Sequence, residues 1–389
     1  MENKIIKLLI FLMKTGGKKC PPDHFFPIDE KKLLIIASRN KAIPFLFHFL
    51  DCSTCSQRLN KNTIEKISSL KKFALIWLLF YQDEKKSLNK FCQKSRIKLI
   101  AFKDFSSYLK IKFHQQYLTG LDLDLLVKKN DLLQIESLLK EKGYKLKEFL
   151  KLKNNQEIIY YQEKNFVHPQ KKLSIDLHLQ VAIPHQDEFN FLSPQLISEF
   201  TQDLFLNSVN ISKTKQKNGL LCPEIEYFLM SLIIHYLGSD LLKGLRNLLD
   251  ITQFANFYDK QINWNKFLLL SQKLKIKNFS LFLLLLGQNI FNINFPEGLK
   301  NKAKIPIKAF FLISYWSSEK IALFPSNIHW QMKNKEAKKI FYENFFLKLF
   351  LADDVPFQRL IKPRVLLFLT KVTFSNINKF FPRLYQKSF

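Results

Sequence analysis

Asp122 and Asp124 stand in the segment LDLDLLV, and Asp176 stands in LSIDLHL. Both segments are rich in Leu, Ile and Val and read as buried strands, where a carboxylate is costly. Side chains alternate along a strand, so Asp122 and Asp124 leave the same face of the sheet. Two like charges side by side are unfavourable unless a cation or a basic group compensates them. Asp176 sits at the matching place on a later strand. Three acids converging from neighbouring strands suit Mg²⁺ or Mn²⁺, hard cations that prefer oxygen ligands. Two such ions about 4 Å apart would activate an attacking hydroxyl and stabilise a leaving phosphate. An Asp-x-Asp pair alone is weak evidence, and the bland alternative is a set of acids exposed at strand ends without a ligand. Context raises the pair above that background: it follows Gly120 on an apolar strand and precedes a capped helix.

The elements needed to present these acids are readable nearby. RIKLIAF (96–102) is short and β-prone, and a helical segment runs from Asp104 to about Gln116. The strand LDLDLLV follows, then a helix capped by Asn130 or Asp131 that runs to Lys142, with Gly143 placed to stop it. EIIYYQEKNFV and KKLSIDLHLQV read as two further strands joined by the turn HPQKK. Residues 96–181 thus read β-α-β-α-β-β. Residues 1–95 carry apolar residues at spacings of three and four, as in DEKKLLIIASRNKAIPFLFHFL and in NTIEKISSLKKFALIWLLFYQDEKKSLNKFCQKS. After Pro184 the pattern is again helical, in CPEIEYFLMSLIIHYLGSDLLKGLRNLLDITQFANFY and in the apolar stretches 264–295 and 305–389. The expected fold class is α+β: a small mixed β-sheet core (96–183) between an N-terminal helical region (1–95) and a C-terminal one (184–389).

Composition sets looser bounds. With 47% hydrophobic residues the chain is not disordered, and 389 residues allow two or three cores. The net charge of +28 makes a polyanionic partner thinkable, but the lysines are scattered in short runs and form no dense arm. No apolar run reaches the roughly 20 residues that span a bilayer, so no transmembrane segment is expected. The start, MENKIIKLLIFLMKTGG, reads as an N-terminal helix, because Lys7 interrupts the apolar run and no small-x-small cleavage site follows. Five cysteines form an odd set without a disulfide framework, which suits a cytoplasmic location. Cys52 and Cys55 make a lone C-x-x-C; with no second pair at zinc spacing, they read as two ordinary thiols near a helix end.

The segments LDLDLLV, EKGY and IDLHL together resemble the uncharacterised nucleotidyltransferase family of the polymerase-β-like superfamily. That family carries a strand ending in Leu-Lys-Gly, then DIDLLV, a helix ending in Gly-Tyr, and DLHW. CPEIEYFLMSLIIH…LRNLLDI resembles its helical segment, with Pro223, Glu224, His235, Arg246 and Asp250 in register. The likeness runs over about residues 30–290. It implies transfer of a nucleotidyl group from a nucleoside triphosphate (NTP) to an acceptor such as a small molecule, a peptide or a tRNA. Asp122, Asp124 and Asp176 would be the catalytic and metal-binding residues, with Asp176 also a base, and Lys103, Ser106 and Ser107 would face the triphosphate. This sequence departs from the pattern in AFKD, where Asp104 takes the place of the glycine that lets backbone N–H groups approach phosphate. Leu118 also stands where an arginine is expected, and Leu179 where a tryptophan is. These departures leave a second reading open, a catalytically inactive relative that binds nucleotide, RNA or a protein partner.

Other residues read as structural. His178 is taken to point to the side opposite Asp176 and to pack within the sheet. His235 reads as a satisfied core or interface histidine, with a reach to the cleft as the alternative. Arg246 and Asp250, four apart on one helix, can pair with each other.

Overall fold

The computed structural model describes residues 2–16, 19–103, 122–147, 163–171, 173–182, 193–210, 219–238, 244–300 and 302. The expected helix at 104–116, Ser106, Ser107, Leu118 and the stretch 305–389 lie outside the described residues. Helices α1 (Glu2–Thr15), α2 (Glu30–Arg39), α3 (His48–Asp51), α4 (Ser53–Ser56) and α5 (Lys61–Lys94) precede the first strand. The strands are β1 (Lys98–Ala101), β2 (Asp122–Val127), β3 (Lys145–Leu146), β4 (Glu163–Val167), β5 (Ser174–His178), β6 (Ser208–Asn210) and β7 (Gly219–Pro223). Helix α6 (Leu132–Glu141) lies between β2 and β3, and α7 (Pro194–Leu206) between β5 and β6. Beyond β7 come α8 (Ile225–Gly238), α9 (Leu245–Phe257), α10 (Trp264–Lys273), α11 (Lys277–Phe291) and α12 (Glu297–Lys300). The fold is α+β, with a mixed sheet in the order β3-β4-β5-β2-β1-β7-β6.

Two apolar layers clamp this sheet. Leu123, Leu125 and Val127 of β2, with Ile175 and Leu177 of β5, pack under Leu88 and Cys92 of α5 and Ile135 and Leu139 of α6. Ile100, Leu126 and Leu221 face the other way, into the larger core built on α1 and α7–α11. Burial of both faces explains the near-continuous apolar runs. Asp122 and Asp124 share the face of β2 that carries Leu126, turned toward the larger core and away from α5 and α6.

Three expectations hold in detail: the N-terminal helix, the buried apolar helix near residue 280 and the stop at Gly143. α1 buries Ile5, Ile6, Leu8, Leu9, Leu12 and Met13, and the FSLFLLLLG run lies buried in α11. Asn60 caps α5 by accepting from Thr63 N–H at 2.8 Å. Gly143 follows α6 with φ +87°, a conformation that favours glycine. Among the described residues no helix is long and apolar enough to cross a membrane.

Other expectations need correction. The helical reading of 30–50 breaks at Arg39: Asn40 caps the end, and Pro44 lies in a 3₁₀ turn over Ile43–Phe47. β6 and β7 fall in the stretch read as helical, and β7 runs parallel to β1. Its start depends on Gly219, whose φ is +119° and where a Cβ would meet Asn89 Oδ1 at 2.7 Å. Asn89 on α5 instead accepts Leu220 N–H at 2.9 Å, so this close approach docks α5 onto the sheet. The cysteines are not all unpaired either, since a disulfide joins Cys20 to Cys55. Those residues lie 35 positions apart, too far for spacing alone to reveal the pair.

Candidate functional site

β2 and β5 are parallel neighbours, with Asp122 opposite Ser174, Asp124 opposite Asp176 and Leu126 opposite His178. This register brings Asp124, Asp176 and His178 together: one ligand atom from each lies within 4.8 Å of the others. Asp122 does not join that set and lies exposed at the start of β2. Loss of hydration and then the Asp124 charge push its carboxyl above the ordinary carboxylate range. Solvent reaches Asp122, so the neighbouring charge is the firmer of the two causes.

Asp124 is held from two sides. Lys103, two residues beyond β1, brings Nζ to 2.5 Å from Asp124 Oδ1, and both side chains are largely enclosed, at 13% and 14% exposure. His178 brings Nε2 to 3.0 Å from the same oxygen. An ionised carboxylate only accepts, so Nε2 is the donor. Burial pushes the Asp124 carboxyl up, yet the Lys103 ammonium, then the hydrogen bond and charge of His178, and finally His235 hold it well below the ordinary range. His235 Nδ1 on α8 lies 3.4 Å from Lys103 Nζ, so a helix of the larger core closes the site from above.

Asp176 is buried and has its own supports. Asn165 of β4 donates from Nδ2 to Asp176 Oδ1 and also to Ser174 Oγ, the latter at 2.9 Å. Ser174 Oγ lies 3.5 Å from Asp176 Oδ1. The amide oxygen of Asn165 is buried and makes no hydrogen bond. A buried oxygen left bare in a side chain that touches a carboxylate is expensive without a cation or water to meet it.

His178 corrects the sequence reading. Residues two apart on a strand share a face, so His178 lies on the side of Asp176 and not opposite it. Its ring edge meets Phe102, with centroids 5.1 Å apart. The signal is present in the segment IDLH, where His178 stands two residues after Asp176 and so shares its face. His235 does reach the cleft, and Arg246 does pair with Asp250, Nε to Oδ1, at 2.6 Å. Asn165 gave no signal in the sequence, because its partner lies on another strand.

The model of a family described as an uncharacterised nucleotidyltransferase matches residues 27–292. That span runs from α2 through α11 and contains Lys103, Asp122, Asp124, Asp176 and His178. Comparison with curated proteins gives no match, and comparison with solved structures gives none. A family match over more than half of the chain, carrying the acidic strand pair at its centre, places the sequence: it belongs to the uncharacterised nucleotidyltransferase family.

Proposed function

We propose that the protein transfers a nucleotidyl group from an NTP to an acceptor in a Mg²⁺- or Mn²⁺-dependent reaction at Asp122, Asp124 and Asp176. Family membership supports a nucleotidyl-transfer role in general. The observation that carries the finer reading is the β2–β5 register, which sets Asp124 directly beside Asp176. The donor set suits a hard divalent cation: two carboxylates within 4.8 Å, with the unsatisfied amide oxygen of Asn165 next to Asp176. Asp124 and Asp176 would hold the metal, with Asp122 as the third carboxylate. Bound there, a divalent ion neutralises charge on the phosphoryl group in transit.

The chain's own residues prepare that chemistry. Lys103 and His178 keep Asp124 ionised, so it is ready to accept a cation without first losing a proton. Asn165 and Ser174 fix the carboxyl of Asp176. Asp176 also serves as the base that accepts the acceptor's hydroxyl proton. Lys103 is the cation that meets the triphosphate, and Ser106 and Ser107 follow it in sequence as hydroxyl donors. The acceptor is a small molecule, a peptide or a tRNA.

Isothermal titration with a non-hydrolysable NTP tests this reading. Binding should require Mg²⁺ or Mn²⁺, disappear in Asp124→Asn, and weaken in Asp122→Asn. Binding that is equal in chelator and in metal, and indifferent to Asp124→Asn, would contradict it.

A further inference from the structure

A second cluster, outside the carboxylate site, gathers Cys20, His48, Cys52 and Cys55. The Sγ atoms of the three cysteines lie within 4.8 Å of one another. His48 brings Nε2 to 3.7 Å from Cys55 Sγ. Local backbone structure explains the convergence. Cys52 N–H donates to His48 C=O at 3.1 Å, which sets these residues one helical turn apart on one side of α3. Cys55 N–H and Ser56 N–H return to Cys52 C=O at 3.1 and 2.9 Å and so fold the C-x-x-C pair back on itself. Arg58 then draws in the preceding segment. Its Nη1 donates to Pro21 C=O and its Nη2 pairs with Asp23, each at 2.5 Å, next to Cys20.

We propose that these four side chains bind one Zn²⁺ ion through three thiolates and one imidazole, pinning the segment before Asp23 to the α3–α4 corner. Zinc favours four-coordinate tetrahedral sites of sulfur and nitrogen, and Cys₃His is a common structural set. Metal–ligand arms of about 2.3 Å for sulfur and about 2.0 Å for nitrogen put adjacent ligand atoms on the order of 3.6 Å apart. The His48 Nε2 to Cys55 Sγ separation of 3.7 Å matches that edge. Sulfur ligation also separates this site from the carboxylate site, whose oxygens suit a harder ion.

The Cys20–Cys55 disulfide is then the oxidised, metal-free form of the cluster. A thiol reductant supplies two electrons and two protons, yielding two cysteine thiols while it becomes a disulfide itself. Zinc then displaces one proton from each of the three thiols and takes the lone pair of neutral His48. Cys20 is exposed and Cys52 half-buried, so reductant and metal can both arrive from solvent. A purely structural disulfide would make Cys52 and His48 bystanders. That difference makes the idea testable.

The whole 389-residue chain, reduced and stripped with chelator, is titrated with Zn²⁺ or Co²⁺ alone. The expected result is one tightly held zinc per chain by elemental mass spectrometry. The cobalt form should show intense tetrahedral d–d bands and a thiolate-to-cobalt charge-transfer band. Cys52→Ser should lower zinc affinity by at least about 100-fold, more than loss of an outer-shell partner usually costs. His48→Cys should keep binding tight and strengthen the thiolate-to-cobalt charge-transfer band, since a Cys₄ set also holds zinc. A wild-type protein that binds no zinc when reduced, an octahedral cobalt spectrum, or unchanged affinity in Cys52→Ser would overturn the proposal. Alkylation of the wild type gives a second measurement that needs no variant. Zinc should protect Cys20, Cys52 and Cys55 together, and equal alkylation with and without zinc would equally overturn it.

Discussion

Lys103→Met removes the ammonium that lies 2.5 Å from Asp124 while keeping most of the side chain's bulk. Burial then acts on Asp124 with His178 and His235 left to oppose it among the described residues, so its carboxyl moves up. Removing one partner of an enclosed ion pair costs about 3–5 kcal/mol, because the other charge is left uncompensated. The cost should depend on pH in a defined sense. A carboxyl held below its ordinary value adds stability above the unfolded pKa of about 3.9, and that stability is lost as pH falls through the folded value. Lys103→Met forfeits this contribution. The wild-type advantage should therefore be full near pH 7 and shrink as pH drops below about 4, where the variant's Asp124 is protonated in both states. Urea denaturation of both proteins across that range measures it. Asp124→Asn in the Lys103→Met background should recover most of the loss, since no bare charge remains. An equal deficit at every pH, or no recovery in the double variant, would refute the electrostatic argument and leave lost packing as the cause.

Asn165→Leu should destabilise the fold by about 1–3 kcal/mol in urea titration, since it removes the Nδ2 donor from buried Asp176. Gly287→Ala should cost about 1–3 kcal/mol or more, because the new Cβ would lie 1.9 Å from Thr252 Cγ2 where α9 and α11 meet; the denaturation midpoint reports it. Asp104→Gly should tighten binding of Mg²⁺–NTP in calorimetry by removing a negative charge from the position where the sequence resemblance implies a glycine. An affinity that does not change would show that Asp104 faces away from the phosphates.

The acidic strand pair was legible because two physical rules coincide at it. Alternation fixed which face Asp122 and Asp124 share, and the apolar surroundings made the carboxylates conspicuous. The same rule, applied one residue out of phase, hid His178, although it stands two positions after Asp176. β7 was missed for a different reason. GLLCP runs straight into the apolar helix α8 with no turn residue other than Pro223, so a short buried strand and a buried helix look alike there. Short β6, with three residues, carries too little periodicity to register. Long-range partners are invisible to spacing altogether: Cys20 meets Cys55, His235 meets Lys103, and Asn165 meets Asp176 only once the sheet and its helices are assembled.

Transfer itself can be followed with an α-labelled NTP, Mg²⁺ and cell extract, comparing the wild type with Asp124→Asn at matched folding by circular dichroism. Wild-type protein should leave label on an acceptor, and Asp124→Asn should abolish it, because the lost carboxylate would otherwise hold the ion that stabilises charge in the transition state, an effect worth several kcal/mol. An absence of label from wild-type protein that still binds Mg²⁺–NTP would identify a non-catalytic nucleotide binder. Labelling that persists in Asp124→Asn would contradict the assignment and place the chemistry elsewhere in the chain.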